Sequence, residues 1–244
     1  MTEAVAVMQL AFRATLRSHP IRAAWALAVL SALFAPFLVA FAFTGAQALA
    51  VEGALGTACL FAPAAALFAG IAFATGDRGG EGMAPVLRAA PGPATVLSAT
   101  SAGIALAAAL GSVFTVIVGL AAVGSLQPVP SAGAVLGPLA ASLALAPAAA
   151  AAGLLLGILA PRALAATLGT LLLAALLAAP AGTLRDVLPR PEAFLLARDA
   201  AFGPLPARAV LLSAGSSMAL AAAAVAGGMA LLRGKDLAPR TEPT

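Results

Sequence analysis

The sequence predicts an all-α integral membrane protein: six transmembrane helices, an N-terminal surface helix, and a short helical or re-entrant segment before the last span. Three observations carry that prediction. Residues 89–161 contain no formal charge, and four further neutral runs, 23–51, 53–76, 163–184 and 209–232, flank them. A charge at the bilayer centre costs about 2.5–3.5 kcal/mol on insertion scales, so spanning segments exclude charges. Charged residues make up only 9% of the chain, against about 25% in an ordinary soluble domain. The runs are built mainly of Ala and Leu, good helix formers, and lack the strict alternation of membrane-spanning strands, which argues against a barrel.

Residues 1–22 come first. Val5, Met8, Phe12 and Leu16 recur at helical spacing, with Gln9, Arg13 and Arg17 beside them. This pattern suits an amphipathic helix lying on a membrane surface and ended by Pro20. The spans are placed at 23–43, 53–75, 98–124, 133–160, 163–181 and 209–232, because a hydrocarbon core of about 30 Å needs about 20 helical residues. The run 89–161 is long enough for two of them. The first run, with basic residues ahead of it, imitates a secretory signal. Its apolar stretch at 23–43 exceeds the roughly 7–15 residues of a signal peptide, so it is expected to remain as a span. Pro36, Pro63, Pro138 and Pro147 fall inside spans as candidate kinks. The transmembrane domain thus covers 23–237, and 238–244 form a tail.

Six spans place Arg13, Arg17, Arg22, Arg78, Arg88, Arg162, Arg233, Lys235 and Arg240 on one side, and only Arg185, Arg190, Arg198 and Arg208 on the other. The excess of Lys and Arg marks the first side as cytoplasmic, so both termini and the surface helix are expected there. The basic residues are scattered along loops rather than gathered in a patch, which argues against a nucleic-acid partner. Membrane lipid is the implied surrounding.

Two connections stand out. The cytoplasmic one, 76–93, begins with charges and glycines (Asp77, Arg78, Gly79, Gly80, Glu81, Gly82), continues with Val86, Leu87 and Arg88, and closes on Pro91. A charged exterior, a short helical piece and Gly or Pro joints are what an element transmitting force from a soluble partner requires. The outer connection, 182–208, carries Pro189, Pro191, Pro204 and Pro206 around the apolar stretch 193–196. A short helix on or in the outer leaflet explains that stretch; an amphipathic cap is the simpler alternative.

Catalytic signatures are missing. The stretch from Gly228 to Lys235 and Asp236 has the wrong spacing for a phosphate-binding loop, and Asp stands where Ser or Thr would bind magnesium. The single histidine, His19, and single cysteine, Cys59, make no zinc or haem site, so no cofactor is expected. Cys59 reads as a small buried apolar side chain. Ser112, Thr115 and Ser142 are expected to bond to their own helices. Gly133–Gly137 and Gly153–Gly157 have the small-residue spacing of close helix contacts. The spans also lack the buried acids and bases that ion-driven carriers use, so the energy is expected to come from outside the chain.

The layout resembles the membrane subunit of type-2 ATP-binding-cassette (ABC) exporters. The order Asp77-Arg78, Glu81-Gly82, Leu87, Pro91 is similar to the family's coupling segment, and Arg233-Gly234-Lys235-Asp236-Leu237 to its common ending. The glycine pair Gly79-Gly80 and Ala102 depart from the pattern. The resemblance implies a permease without an ATPase site of its own, exporting a lipophilic or amphipathic substrate across a bacterial-type cytoplasmic membrane. It implies partners too: cytoplasmic ATPase subunits and a second membrane subunit, the same chain or a similar one. Asp77, Arg78, Glu81, Gly82, Leu87, Arg88 and Pro91 would contact the ATPase, joined by Phe12, Arg13 and Arg17 of the surface helix. The haem-exporter membrane subunit of cytochrome c maturation has a similar layout. A non-transporting scaffold that docks a partner on 76–93 is the alternative outside transport, and a membrane enzyme is the least supported class.

Overall fold

The computed structural model describes residues 3–39, 46–76, 92–124, 132–178 and 207–236. Regular structure among them is entirely helical: α1 (Glu3–Arg17), α2 (His19–Val39), α3 (Ala46–Ala74), α4 (Pro93–Gly124), α5 (Ala132–Leu159), α6 (Arg162–Ala178) and α7 (Ala207–Asp236). The helices run on through Pro36, Pro63, Pro138 and Pro147.

Four stretches are long and apolar enough to cross a membrane: Gly56–Ala74, Pro93–Ala122, Ser142–Leu159 and Gly215–Leu232. The protein is therefore an all-α membrane protein, and four of the six expected spans are present at full length. The other two expected spans fall on α2 and α6, whose described apolar stretches are shorter. At 23–43 and 163–181 the apolar helical stretches are Ile21–Phe34 and Arg162–Ala174. These stretches lie within the longer helices His19–Val39 and Arg162–Ala178, and the residues that follow, 40–45 and 179–206, lie outside the described residues. The outer connection 182–208 and the tail 238–244 lie outside the described residues, apart from the first turn of α7.

The surface explains the solvent. Leu27, Leu30, Phe34 and Phe37 of α2, Leu164 and Leu171 of α6, and Leu211 and Met218 of α7 are all exposed. Water does not tolerate so broad an apolar exterior, whereas lipid tails solvate it. The interior is made of smaller side chains. Ala58, Ala62, Ala65, Ala66 and Ala69 of α3 are buried, as are Ala146, Ala150 and Ala151 of α5. Between helices already surrounded by lipid, association rests on close van der Waals packing, which small residues permit.

α3 is the hub, packed against α2, α4, α5 and α6. Its tightest seam is with α5. A Cβ at Gly70 would stand 2.5 Å from the Ala150 carbonyl oxygen, and a Cβ at Gly157 would stand 2.6 Å from the Ala74 Cβ. A Cβ at Gly153 would overlap the Leu67 carbonyl. The spacing Gly153–Gly157 is thus a true helix–helix contact. The described side chains do not extend to Gly133 and Gly137. α7 leans on α5 and α4 and leaves most of its circumference to lipid.

The helix boundaries follow local chemistry. α1 breaks for one residue at Ser18, whose N–H still reaches the Ala14 carbonyl at 3.1 Å. Pro20 falls in the first turn of α2, where its missing N–H leaves no helical bond unmade. Gly92 opens α4, its carbonyl accepting from the Val96 N–H at 3.2 Å. Ala160 and Pro161 alone separate α5 from α6, so the chain reverses in two residues.

Candidate functional site

The N-terminal helix is more than a surface float. Ala11 is fully buried and Thr15 nearly so, and both lie on the side of α1 that meets α4. The receiving position is Gly103. A Cβ there would strike the Met8 carbonyl and stand 3.1 Å from both the Ala11 Cβ and the Phe12 backbone nitrogen. Thr15 satisfies its buried hydroxyl by donating to the Ala11 carbonyl at 2.8 Å. The docked stripe lies beside the apolar face that the sequence shows. Val5, Phe12 and Leu16 are only half-buried, and the stripe that meets the bundle is the smaller one through Ala11 and Thr15. Small residues win because a backbone-to-backbone crossing at a glycine has no room for Phe or Leu.

Arg13 and Arg17 are exposed. Two and six residues on from Ala11, they lie about 200° and about 240° round the helix, on the side away from α4. Phe12 stands between the two sides. Of the ten side chains expected to contact a partner, these three are described. Asp77, Arg78, Glu81, Gly82, Leu87, Arg88 and Pro91 lie outside the described residues. Their flanks are well placed. α3 ends at Ala74, with Thr75 donating both its N–H (2.9 Å) and its hydroxyl (2.8 Å) to the Ile71 carbonyl. α4 begins at Pro93. The segment 77–91 therefore joins the hub helix directly to the helix on which α1 is seated.

A second polar feature lies deeper. Ser112 of α4 donates to the Ala58 carbonyl of α3 at 2.8 Å, and Ser142 of α5 donates to the adjacent Cys59 carbonyl at 2.6 Å. Trp25 of α2 donates its indole N–H to the Gly111 carbonyl of α4 at 3.1 Å and meets Phe114 edge-on, with ring centroids 5.6 Å apart. Thr115 bonds back to Gly111 at 2.8 Å, as expected for a hydroxyl in a span. Ser112 and Ser142 break that expectation, because each reaches across to α3. A belt of hydrogen bonds thereby ties α2 to α4, and α4 and α5 to α3.

The sequence held one clue to this belt. Pro63 has no N–H, so the Cys59 carbonyl four residues earlier loses its helical donor. That loss is legible; which hydroxyl fills the gap is not. Trp25 and Gly103 carried no warning at all, since each acts through a residue far away in the chain. The chain matches no protein-family model and no curated protein.

Proposed function

We propose that this chain is the membrane-spanning permease subunit of an ABC transporter, exporting a lipophilic or amphipathic substrate on energy from separate ATPase subunits. In this reading α2 and α6 complete a set of six spans in a bacterial-type cytoplasmic membrane, with both termini cytoplasmic. The chain pairs with a second membrane subunit, the same or similar. The ATPase meets Asp77, Arg78, Glu81, Gly82, Leu87, Arg88 and Pro91, together with Phe12, Arg13 and Arg17.

One observation carries the reading: α1 is seated on α4 at Gly103, and α4 is the helix that the 77–91 segment enters. Work delivered to either element reaches the same helix. α4 in turn is tied to α3 through Ser112 and to α2 through Trp25. A push at the cytoplasmic end is thus passed to the bundle through packed helices, and rigid-body or hinge motion of such helices is what alternating access uses.

The test is purification of the tagged chain from its native membrane in mild detergent. The expected result is a co-purifying ATPase that is lost when Glu81 and Arg88 are both reversed in charge. Recovery of the intact chain with no nucleotide-hydrolysing companion, in several mild detergents, would reject the proposal in favour of a scaffold.

A further inference from the structure

Pro63 divides α3 into two halves that are held in different ways. After the proline, α3 is locked to α5 by the glycine seam: Gly70 faces Ala150 and Leu154, and Gly157 faces Ala74 and Ile71. At Gly70 and Gly153 the facing atoms are backbone, so sliding or opening there meets hard repulsion or loses close contact at once. Just before the proline, the attachments include two hydroxyl bonds, Ser142 to the Cys59 carbonyl and Ser112 to the Ala58 carbonyl. Both serines are fully buried. Ser142 supplies the donor that Pro63 removed, because an unpaired carbonyl in a lipid-surrounded bundle is costly.

We propose that Pro63 is a hinge in α3, and that Ser142, with Ser112 beside it, is the latch that holds the hinge closed. A serine in a helix has a second acceptor within reach, the carbonyl one turn back on its own helix. Rotation of one side-chain torsion exchanges the bond to α3 for that internal bond. The latch therefore releases without stranding its own hydroxyl, and the half of α3 before Pro63 swings from α5 while the glycine seam stays shut. The motion has a built-in reporter. Cys59 is the chain's only cysteine; its side chain is buried among Leu145 and Ala148 of α5 and Ala221 of α7, so opening uncovers it. The inference rests on the membrane bundle alone and needs no ATPase, so it stands or fails separately from the proposed partnership.

The experiment is the rate of Cys59 alkylation by N-ethylmaleimide in the purified full chain, reconstituted in lipid nanodiscs. Ser142→Ala is expected to speed alkylation about three- to eighteenfold, the range for one interhelical hydrogen bond in a membrane protein. Ser142→Thr, which keeps a hydroxyl, is expected to stay closer to the parent. Pro63→Ala restores the missing N–H, so it is expected to slow the reaction and to remove most of the Ser142→Ala increment. Pro63→Gly restores the same N–H and replaces Pro63→Ala if that variant fails to insert. A loss of thermal stability in Ser142→Ala no larger than that of one interhelical hydrogen bond separates latch release from general loosening. An increment of equal size with and without Pro63 would overturn the proposal, as would an unchanged rate in Ser142→Ala.

Discussion

Gly70 and Gly153 face each other across the α3–α5 seam so closely that a Cβ on Gly153 would stand 3.2 Å from the Gly70 Cα. The obstruction is backbone, because the same Cβ would overlap the Leu67 carbonyl, and backbone cannot rotate out of the way. Gly153→Val is therefore expected to force the helices apart, at a cost at or above the usual 1–3 kcal/mol of overpacking. Gly227→Ala is the control, since its nearest neighbour would be a Leu155 methyl at 3.7 Å. Thermal unfolding in detergent should show a clear fall for the first and little change for the second. Equal melting temperatures would mean that the seam yields.

Gly103→Val should act differently. The substitution meets the Met8 carbonyl and the Ala11 Cβ, so it evicts α1 from α4 without entering the α3–α5 seam. The bundle is expected to insert and remain folded while α1 loses protection. Hydrogen exchange is the measurement: amides of α1 should exchange faster, and those of α5 should not. Unchanged protection in α1 would show that its seat is elsewhere.

Trp25→Phe removes the indole N–H that reaches the Gly111 carbonyl while keeping an aromatic ring near Phe114. The expected loss is about 0.6 kcal/mol and at most about 1.7 kcal/mol, as for other interhelical bonds in membranes. Thermal denaturation checks the magnitude. Phe114→Leu in the parent provides a spectroscopic counterpart. Trp25 is the only tryptophan, so any change in indole emission reports its edge-on contact directly.

Arg13→Glu combined with Arg17→Glu tests the free side of α1. Both side chains are exposed, and surface changes of this kind usually fall within about 0.5 kcal/mol. Stability should therefore hold while association with the proposed ATPase weakens. Retained co-purification would remove these two arginines from the contact.

Glu81→Lys tests the charged connection. Membrane insertion is expected to be unaffected, because the residue lies between spans. Substrate-stimulated ATPase activity in the reconstituted complex should fall. Undiminished stimulation would count against a coupling role for Glu81.

Much of this fold was legible along the chain. Residues 89–161 exclude charge, and that absence alone demands two membrane-crossing helices; α4 and α5 are those helices. The glycine pair at 153 and 157 was legible as spacing, but the helix it meets was not. The surface helix was legible as amphipathic, but nothing in the sequence marked the face that docks on the bundle. Hydrophobicity points to Val5, Phe12 and Leu16, whereas seating at Gly103 selects for small size. The first and fifth expected spans fall on α2 and α6, whose described apolar stretches are shorter than the neutral runs at 23–51 and 163–184, because a neutral run limits where a helix is allowed without setting its ends.

The sequence by itself settled the solvent. Every candidate span had to be apolar and internally hydrogen-bonded, and those demands are local, written in the absence of charge and the abundance of Ala and Leu. The tertiary structure alone decided the partners. Ser142 is far along the chain from the Cys59 carbonyl it serves, and Gly103 is equally remote from Ala11. Lipid-surrounded helices are sorted by close fit and by the few polar atoms that need company, and both depend on which backbones come near each other.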